Sequence, residues 1–200
     1  MLAPWILPAG RALLALALGL VITFTAGHTA SFGLVAFGVF AVLTALLLGA
    51  ASFGPRAEPI TRTAFRAQAV VSLVAGIAAI VAPGGGIGYL VWVLSGWAIV
   101  AGALETVTGI RARGRIASWT DSVTVGGLTV LLGAIVLLIP PDIADRFSGE
   151  EGVEGLLTSP IIVVGLLGGW GIVTGVLLAI AAASPRQVRA RREARSRVAS

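Results

Sequence analysis

The chain has 200 residues, of which 57% are hydrophobic and only 12% are charged, and its mean hydropathy is +1.00. Soluble domains carry about 25% charged residues, so this composition excludes an ordinary soluble protein and indicates a protein embedded in a membrane. The net charge of +5 comes from 14 arginines without a single lysine. The chain has no cysteine, which excludes disulfides, thiolate metal ligands and iron–sulfur clusters.

Four runs without Asp, Glu, Lys or Arg predict the membrane-spanning helices. They cover 12–55, 67–104, 122–141 and 155–185. Because a spanning helix needs about 20 apolar residues, the first two runs hold two helices each and the last two hold one each. The sequence therefore predicts an all-α, polytopic membrane protein with six transmembrane helices. These helices form a membrane domain over residues 1–184, which an arginine-rich tail over 185–200 follows.

The first two helices are predicted to form a hairpin over about 11–53. Pro4 and Pro8 predict that the first ten residues form no helix of any length. The apolar run over about 11–27 is interpreted as a retained helix, although Ala26 and Ala30 offer small residues near a cleavage site for a secretory signal. Helix 2 is predicted over about 30–53, where Gly54-Pro55 ends it.

Two further hairpins are predicted over about 66–110 and 120–183. The sequence Pro83-Gly-Gly-Gly is a turn signal between helices 3 and 4. Helix 5 is predicted to end at Pro140-Pro141, and helix 6 to cover about 159–183. The segment between them, PDIADRFSGEEGVEGLLTS, is predicted to be the only long acidic loop.

The three hairpins are predicted to be repeats of one unit. Gly19, Gly76 and Gly133 follow one another at steps of 57 residues, and the last two each stand seven residues before a proline. The pair Gly96-Trp97 in helix 4 recurs 73 residues later as Gly169-Trp170 in helix 6. Since each hairpin enters the membrane from the same side, the repeats are predicted to be parallel and related by an axis along the membrane normal.

Small residues spaced alternately three and four apart predict the contacts between helices, because helix association in lipid depends on close packing. The residues expected to carry this packing are Ser72, Gly76, Gly102, Gly133, Gly168, Gly171 and Gly175. Helix 2 has Phe37, Phe40 and Thr44 at the places taken as matching. Hairpin one is therefore expected to be a divergent, peripheral unit.

The arginines predict the orientation of the chain. Thirteen of the 14 lie in the N-terminus, the 2–3 and 4–5 loops and the tail, which by the positive-inside rule places both termini in the cytoplasm. The tail arginines are expected either to contact anionic lipid headgroups or simply to anchor the topology; they are Arg186, Arg189, Arg191, Arg192, Arg195 and Arg197. Nucleic acid is not an expected partner, and homo-oligomerisation is left open.

Glu105 and His28 are the two candidate functional residues. Glu105 is the one carboxylate inside a predicted span, so it is either proton-linked or structural. If it reaches the interface, an arginine between Arg111 and Arg115 is its expected partner. His28 is predicted at the outer end of hairpin one, where it either responds to outside pH or is merely solvated. No catalytic, cofactor-binding or metal-binding residue is predicted, and the chain is not expected to be an enzyme.

Several of these features together resemble the HdeD-like membrane proteins. They are the Gly-x6-Pro helix, the short turn, the Gly-Trp helix that ends in arginines, and Trp119 at the start of the next helix. The resemblance covers about 66–182 well and 11–56 weakly, and departs at Ala26 and in the insertion around 142–154. It implies a bacterial cytoplasmic-membrane protein linked to acid resistance, without an established catalytic site. Two other hypotheses remain: a small transporter or channel that uses the bundle interior, and a scaffold that recruits partners through its tail.

Overall fold

The computed structural model describes residues 5–53, 59–114, 118–148 and 154–183. In this part of the chain lie six helices, which are α1 (Ile6–Phe24), α2 (Ala30–Ser52), α3 (Pro59–Val81), α4 (Gly86–Arg111), α5 (Trp119–Leu137) and α6 (Ser159–Ala183). Each is long and apolar enough to cross a membrane. The predicted all-α, polytopic architecture is therefore confirmed. The tail over 185–200 lies outside the described residues.

Helices α1 and α3 begin earlier than predicted. α1 begins at Ile6, so Pro8 is inside its first turn. The backbone N–H groups of a first turn have no partner within the helix, so a proline there removes no helical hydrogen bond. α3 begins at Pro59, seven residues before Arg66. Proline is favoured at the first position of a helix because its fixed φ angle suits the helix.

A small β-hairpin replaces the predicted acidic loop. β1 (Ala144–Ser148) pairs antiparallel with β2 (Glu154–Thr158). The side chain of Ser159 holds the base of this hairpin against the helices. Its Oγ accepts a hydrogen bond from Ile143 N at 3.0 Å and donates one to Pro140 O at 2.7 Å. We call this end of the bundle the hairpin end, and the end where α1 begins and α6 ends the basal end.

The six helices form a closed ring. The most extensive helix contacts join α1 to α6, α2 to α3 and α4 to α5, so they lie between hairpins and not within them. α2, α4 and α6 also contact one another at the bundle centre, while α1, α3 and α5 bury less of their surface. The expectation that hairpin one is peripheral was wrong, because its two helices close the ring against α6 and α3.

Three equivalent glycines make this ring repetitive. Each lies against the backbone of an aliphatic residue from the neighbouring hairpin of the ring. The pairs are Gly19 with Ile172, Gly76 with Val42 and Gly133 with Ile99. A Cβ added to these glycines would lie only 2.9, 3.0 and 3.1 Å from the backbone nitrogen of the partner. The partner positions are themselves separated by 57 and 73 residues. The repeat in the sequence is thus a repeat in the packing, and it runs through the closure of α6 on α1.

The small-residue stripe also continues on α2. Phe37, Phe40 and Thr44 were therefore the wrong positions to match with the stripes of the other helices. The stripe of α4 consists of Ser95, Ala98, Gly102, Glu105 and Gly109, and the positions 57 residues earlier on α2 are Gly38, Ala41, Ala45, Leu48 and Ser52. All of them are buried. Phe37, Phe40 and Thr44 belong instead to the buried face that turns towards the bundle centre, where the two phenylalanine rings contact Trp97.

Candidate functional site

Three equivalent aromatic rings close the middle of the bundle. Phe40, Trp97 and Trp170 come from α2, α4 and α6 at steps of 57 and 73 residues. Their ring centroids are 5.7–5.9 Å apart, and the ring planes meet at 83–89°. This edge-to-face arrangement is favourable because the positive edge of one ring meets the negative face of the next. We call these residues the aromatic layer.

The two indoles of this layer have matched acceptors on the outer helices. Trp97 Nε1 donates to Ser72 Oγ at 3.0 Å, and Trp170 Nε1 donates to Thr129 Oγ1 at 3.2 Å. Ser72 and Thr129 are equivalent positions, separated by 57 residues. The third equivalent is Ala15, in the repeat where Phe40 has no N–H to donate. Ser72, predicted only as a packing residue, therefore also satisfies a buried donor.

Glu105 lies about two turns from Trp97 along α4 towards the basal end and is paired with Arg11 of α1. Arg11 Nη1 donates to Glu105 Oε1 at 2.5 Å, and Nη2 donates to Oε2 at 2.7 Å. Gln68 of α3 adds a bond from Nε2 to Ala101 O at 3.2 Å and a longer contact to Glu105 Oε2 at 3.5 Å. Glu105 is only 9% exposed. We call Arg11, Gln68 and Glu105 the polar layer.

The expected pairing of Glu105 with Arg111 or Arg113 was wrong, and Arg115 lies outside the described residues. Arg111 and Arg113 are exposed at the end of α4, and the guanidinium of Arg113 lies 5.2 Å from the centre of the Trp119 ring. The sequence did not predict Arg11 as the partner. Because Pro4 and Pro8 predicted a helix that begins only near residue 11, Arg11 was interpreted as a charge flanking the helix. In the structure it lies on the inward face of α1, four residues before the buried Ala15.

The repeat was the signal that could have identified the polar layer. Arg11, Gln68 and Val125 are equivalent, as are Leu48, Glu105 and Leu178. Val125 and Leu178 pack together in a small apolar cluster. One fold therefore accommodates an ion pair between its first two repeats and apolar residues in the third. The polar layer is a departure from the repeat, and departures of this kind mark candidate functional residues.

Comparison with known protein families supports a short-repeat assignment for part of the chain. Residues 67–139 match the short repeat of unknown function (DUF308). The match begins one residue before Gln68 and runs through α4 and α5, so the DUF308 match contains Trp97 and Glu105 but neither Arg11 nor α6. No curated protein and no solved structure matches the chain.

His28 lies far from the polar layer, at the hairpin end and outside the DUF308 match. Its Nε2 is 2.9 Å from Ile22 O, so this nitrogen carries the proton and donates to a carbonyl near the end of α1. Its ring meets the Phe32 ring nearly edge-on at 6.4 Å. The structure thus separates the two titratable candidates. Among the described residues, no group of three or more His, Asp or Glu side chains lies close enough to hold a metal ion.

The glycines singled out for packing lie at contacts between helices. Besides Gly76 and Gly133, a Cβ added at each of the others would approach a neighbouring helix within 2.9 Å; these contacts are Gly102 with Val130, Gly168 with Ile22, Gly171 with Ala15 and Gly175 with Leu16. Gly76, Gly102 and Gly133 fall inside the DUF308 match. The six arginines predicted to contact lipid lie outside the described residues.

Proposed function

We propose that this multi-pass membrane protein acts in resistance to acid or a related membrane stress, as an HdeD-type protein without catalytic turnover. We place it in the bacterial cytoplasmic membrane with both termini in the cytoplasm, an orientation that the distribution of arginines supports. One observation carries the proposal. Glu105 and Arg11 form a largely buried ion pair between helices that are distant in sequence, and a proton can break such a pair.

Proton uptake by Glu105 would act directly on the side-chain link between α1 and α4, which lie across the ring from each other. The bidentate pair is strong because both bonds are charge-assisted. A proton on the carboxylate removes the charge that compensates Arg11, and an uncompensated buried charge costs about 3–5 kcal/mol. Gln68 cannot supply that charge. Acidification therefore loosens the link between the first repeat and the second.

No other described side chain shown in contact with Arg11 supplies the negative charge that Glu105 provides. The positions equivalent to Glu105 are Leu48 and Leu178, and the α5 position equivalent to Arg11 is Val125; all three are apolar and do not titrate. The next carboxylate on α5 is Asp121, four residues before Val125 and towards the basal end. Among the described residues that contact Glu105, Arg11 is thus the charged partner.

The filled bundle centre favours this role over transport. Next to the aromatic layer lie Phe37, Leu94 and Leu167, whose exposed fraction is 0% in each case. Large apolar side chains therefore occupy the level at which a transporter normally places polar residues and interrupted helices. As a partner we propose the lipid bilayer, with the tail arginines near anionic headgroups.

A double substitution tests the proposal by copying the third repeat. In a deletion strain, Arg11→Val with Glu105→Leu places the residues of Val125 and Leu178 in the polar layer. Replacing a buried ion pair by apolar residues is often neutral or stabilising, so we expect normal amounts of folded protein in the membrane. We also expect survival at low pH to fall to that of the deletion strain.

Two controls interpret that result. Glu105→Gln alone leaves Arg11 without an anion, so it is expected to lower both stability and acid survival. Leu46→Val alters an exposed residue of α2 and is expected to behave like the wild type. Full acid survival with the double variant, or a deletion strain as resistant as its parent, would contradict the proposal.

A further inference from the structure

Two buried hydroxyl groups lie between the aromatic layer and the polar layer. Thr44 and Thr174 each follow an aromatic-layer residue by one helical turn, and Ala101 holds the third equivalent position. Thr44 is 7% exposed and Thr174 is 2% exposed. Neither Oγ1 atom has a hydrogen-bond partner among the described residues. We call Thr44, Ala101 and Thr174 the hydroxyl layer.

These two threonines differ from most other described threonines of the bundle; Thr61 Oγ1, near the start of α3 and away from the bundle centre, is the further buried hydroxyl without a partner. Thr106, Thr108 and Thr129 each donate to the carbonyl four residues earlier, at 2.6–2.8 Å. This local bond is the usual way for a helical threonine to satisfy its hydroxyl in an apolar environment. Thr44 and Thr174 make no such bond, although they come from different helices and different repeats. A shared cause at the bundle centre is the simplest explanation for two equivalent exceptions.

We propose that the hydroxyl layer binds water, and that this water connects with the carboxylate of Glu105. A buried water typically makes two to four hydrogen bonds to polar groups. The layer offers the Oγ1 atoms of Thr44 and Thr174, each of which can donate and accept a hydrogen bond. Ala101 O is already occupied, because it accepts from Gln68 and, within α4, from the backbone N–H four residues later. Ala101, at the third position of the layer, also has a smaller side chain than threonine and so leaves more room for a water.

The charges of the neighbouring layer favour a neutral ligand over an ion. Glu105 and Arg11 compensate each other, and the hydroxyl layer itself carries no charge. A cation there would lack a free anion, and an anion would compete with Glu105 for Arg11. The aromatic layer lies between this water and the hairpin end, whereas the polar layer lies on its basal side. As a route for protons to Glu105, the inference rests on the proposed function, but the water site itself rests on the geometry.

Single cysteines test the water site, because the natural chain has none. A small methanethiosulfonate reagent reacts with the thiolate, which forms readily only where water has access. In purified protein in lipid nanodiscs, Thr44→Cys and Thr174→Cys are expected to react at least about tenfold faster than Val163→Cys. Val163 is the matched control, since it lies 11 residues before Thr174 on the same face of α6, beyond Trp170, and is 0% exposed. Equal, slow reaction at all three positions in folded protein would overturn the inference.

The isosteric change Thr174→Val gives a second, independent test. If water binds the hydroxyl, the valine loses those hydrogen bonds and the thermal unfolding midpoint falls. If the site is dry, the valine removes an unpaired buried hydroxyl and the midpoint rises, which would refute the water site. Thr108→Val serves as the reference for the stability cost of a threonine-to-valine change, because it removes a locally bonded hydroxyl on another helix, α4. A dry site combined with acid sensitivity of the Arg11/Glu105 double variant would leave the proposed function standing.

Discussion

The side chains at the bundle centre are matched in pairs across the repeats, and the pairing predicts how single residues behave. Ser72→Ala removes the acceptor of Trp97 and leaves a buried indole N–H unpaired, at a cost of about 1–3 kcal/mol. Adding Trp97→Phe removes the orphaned donor and copies the natural pair Ala15 and Phe40. We therefore expect the double variant to recover part of the stability lost by the single one.

Denaturant or thermal unfolding in detergent measures this cycle. Trp97→Phe alone serves as the reference, because it loses both ring area and the hydrogen bond to Ser72. A double variant whose loss equals the sum of the two single losses would show that the hydrogen bond contributes nothing.

At this scale the sequence predicts which residue is unusual more readily than what it contacts. Glu105 could be identified because a lone carboxylate in an apolar run is conspicuous. Arg11 could not, since its role depends on where α1 begins, and a proline in a first turn looks like a helix breaker. The exceptional hydroxyls of Thr44 and Thr174 could not be recognised either, because whether a threonine bonds its own helix depends on a side-chain rotamer.

Glycines on one helix have different roles according to the face they occupy. A Cβ at Gly102 would lie 2.7 Å from Gly126 O and from Val130 N on α5, whereas a Cβ at Gly96 would have nothing within 4 Å. We expect Gly102→Ala to push α4 from α5 and lower the unfolding temperature. Gly96→Ala is expected to leave it unchanged or raise it slightly, because alanine favours the helix.

The same comparison can be made on α6, with Gly175→Ala against Gly169→Ala, since Gly169 also has open space around it. Equal melting of the buried and the exposed variants on both helices would show that the close contacts are not needed for stability.

At the scale of elements, the number and order of the helices follow from the sequence because a spanning segment has a minimum apolar length. Two features do not follow. α3 extends to Pro59 because Arg62 and Arg66 are compatible with a helix that continues past the apolar core, and the Arg66 guanidinium lies 5.6 Å from the centre of the Phe53 ring. The β-hairpin between α5 and α6 lacks the apolar alternation that would have revealed it.

For the whole molecule, the closed ring explains why the sequence repeat is strict in some places and weak in others. The three glycines at 57-residue steps are kept because the same approach of two helices occurs three times around the ring. The polar layer breaks the repeat, and a departure from a structural repeat needs a reason other than packing. The most extensive helix contacts lie between hairpins and depend on ring closure, which no local pattern reveals.

The ring also makes the orientation a single choice for the entire chain, because the antiparallel helices place the turns alternately at the two ends. Single cysteines at Gly84 and Ser148 lie at the hairpin end, and one at Ser118 lies at the basal end just before α5. With the arginine-rich loops inside, an impermeant thiol reagent should label Gly84→Cys and Ser148→Cys in intact cells. It should label Ser118→Cys and Ser196→Cys only after the membrane is permeabilised.

Gly84 is suitable because a side chain there meets nothing within 4 Å. The reverse labelling pattern would show that the protein has the opposite orientation in the membrane. Labelling of both Gly84→Cys and Ser118→Cys from outside would contradict the membrane crossing of α4. Only the expected pattern places the basal end of α4, and with it Glu105, on the cytoplasmic side of the membrane.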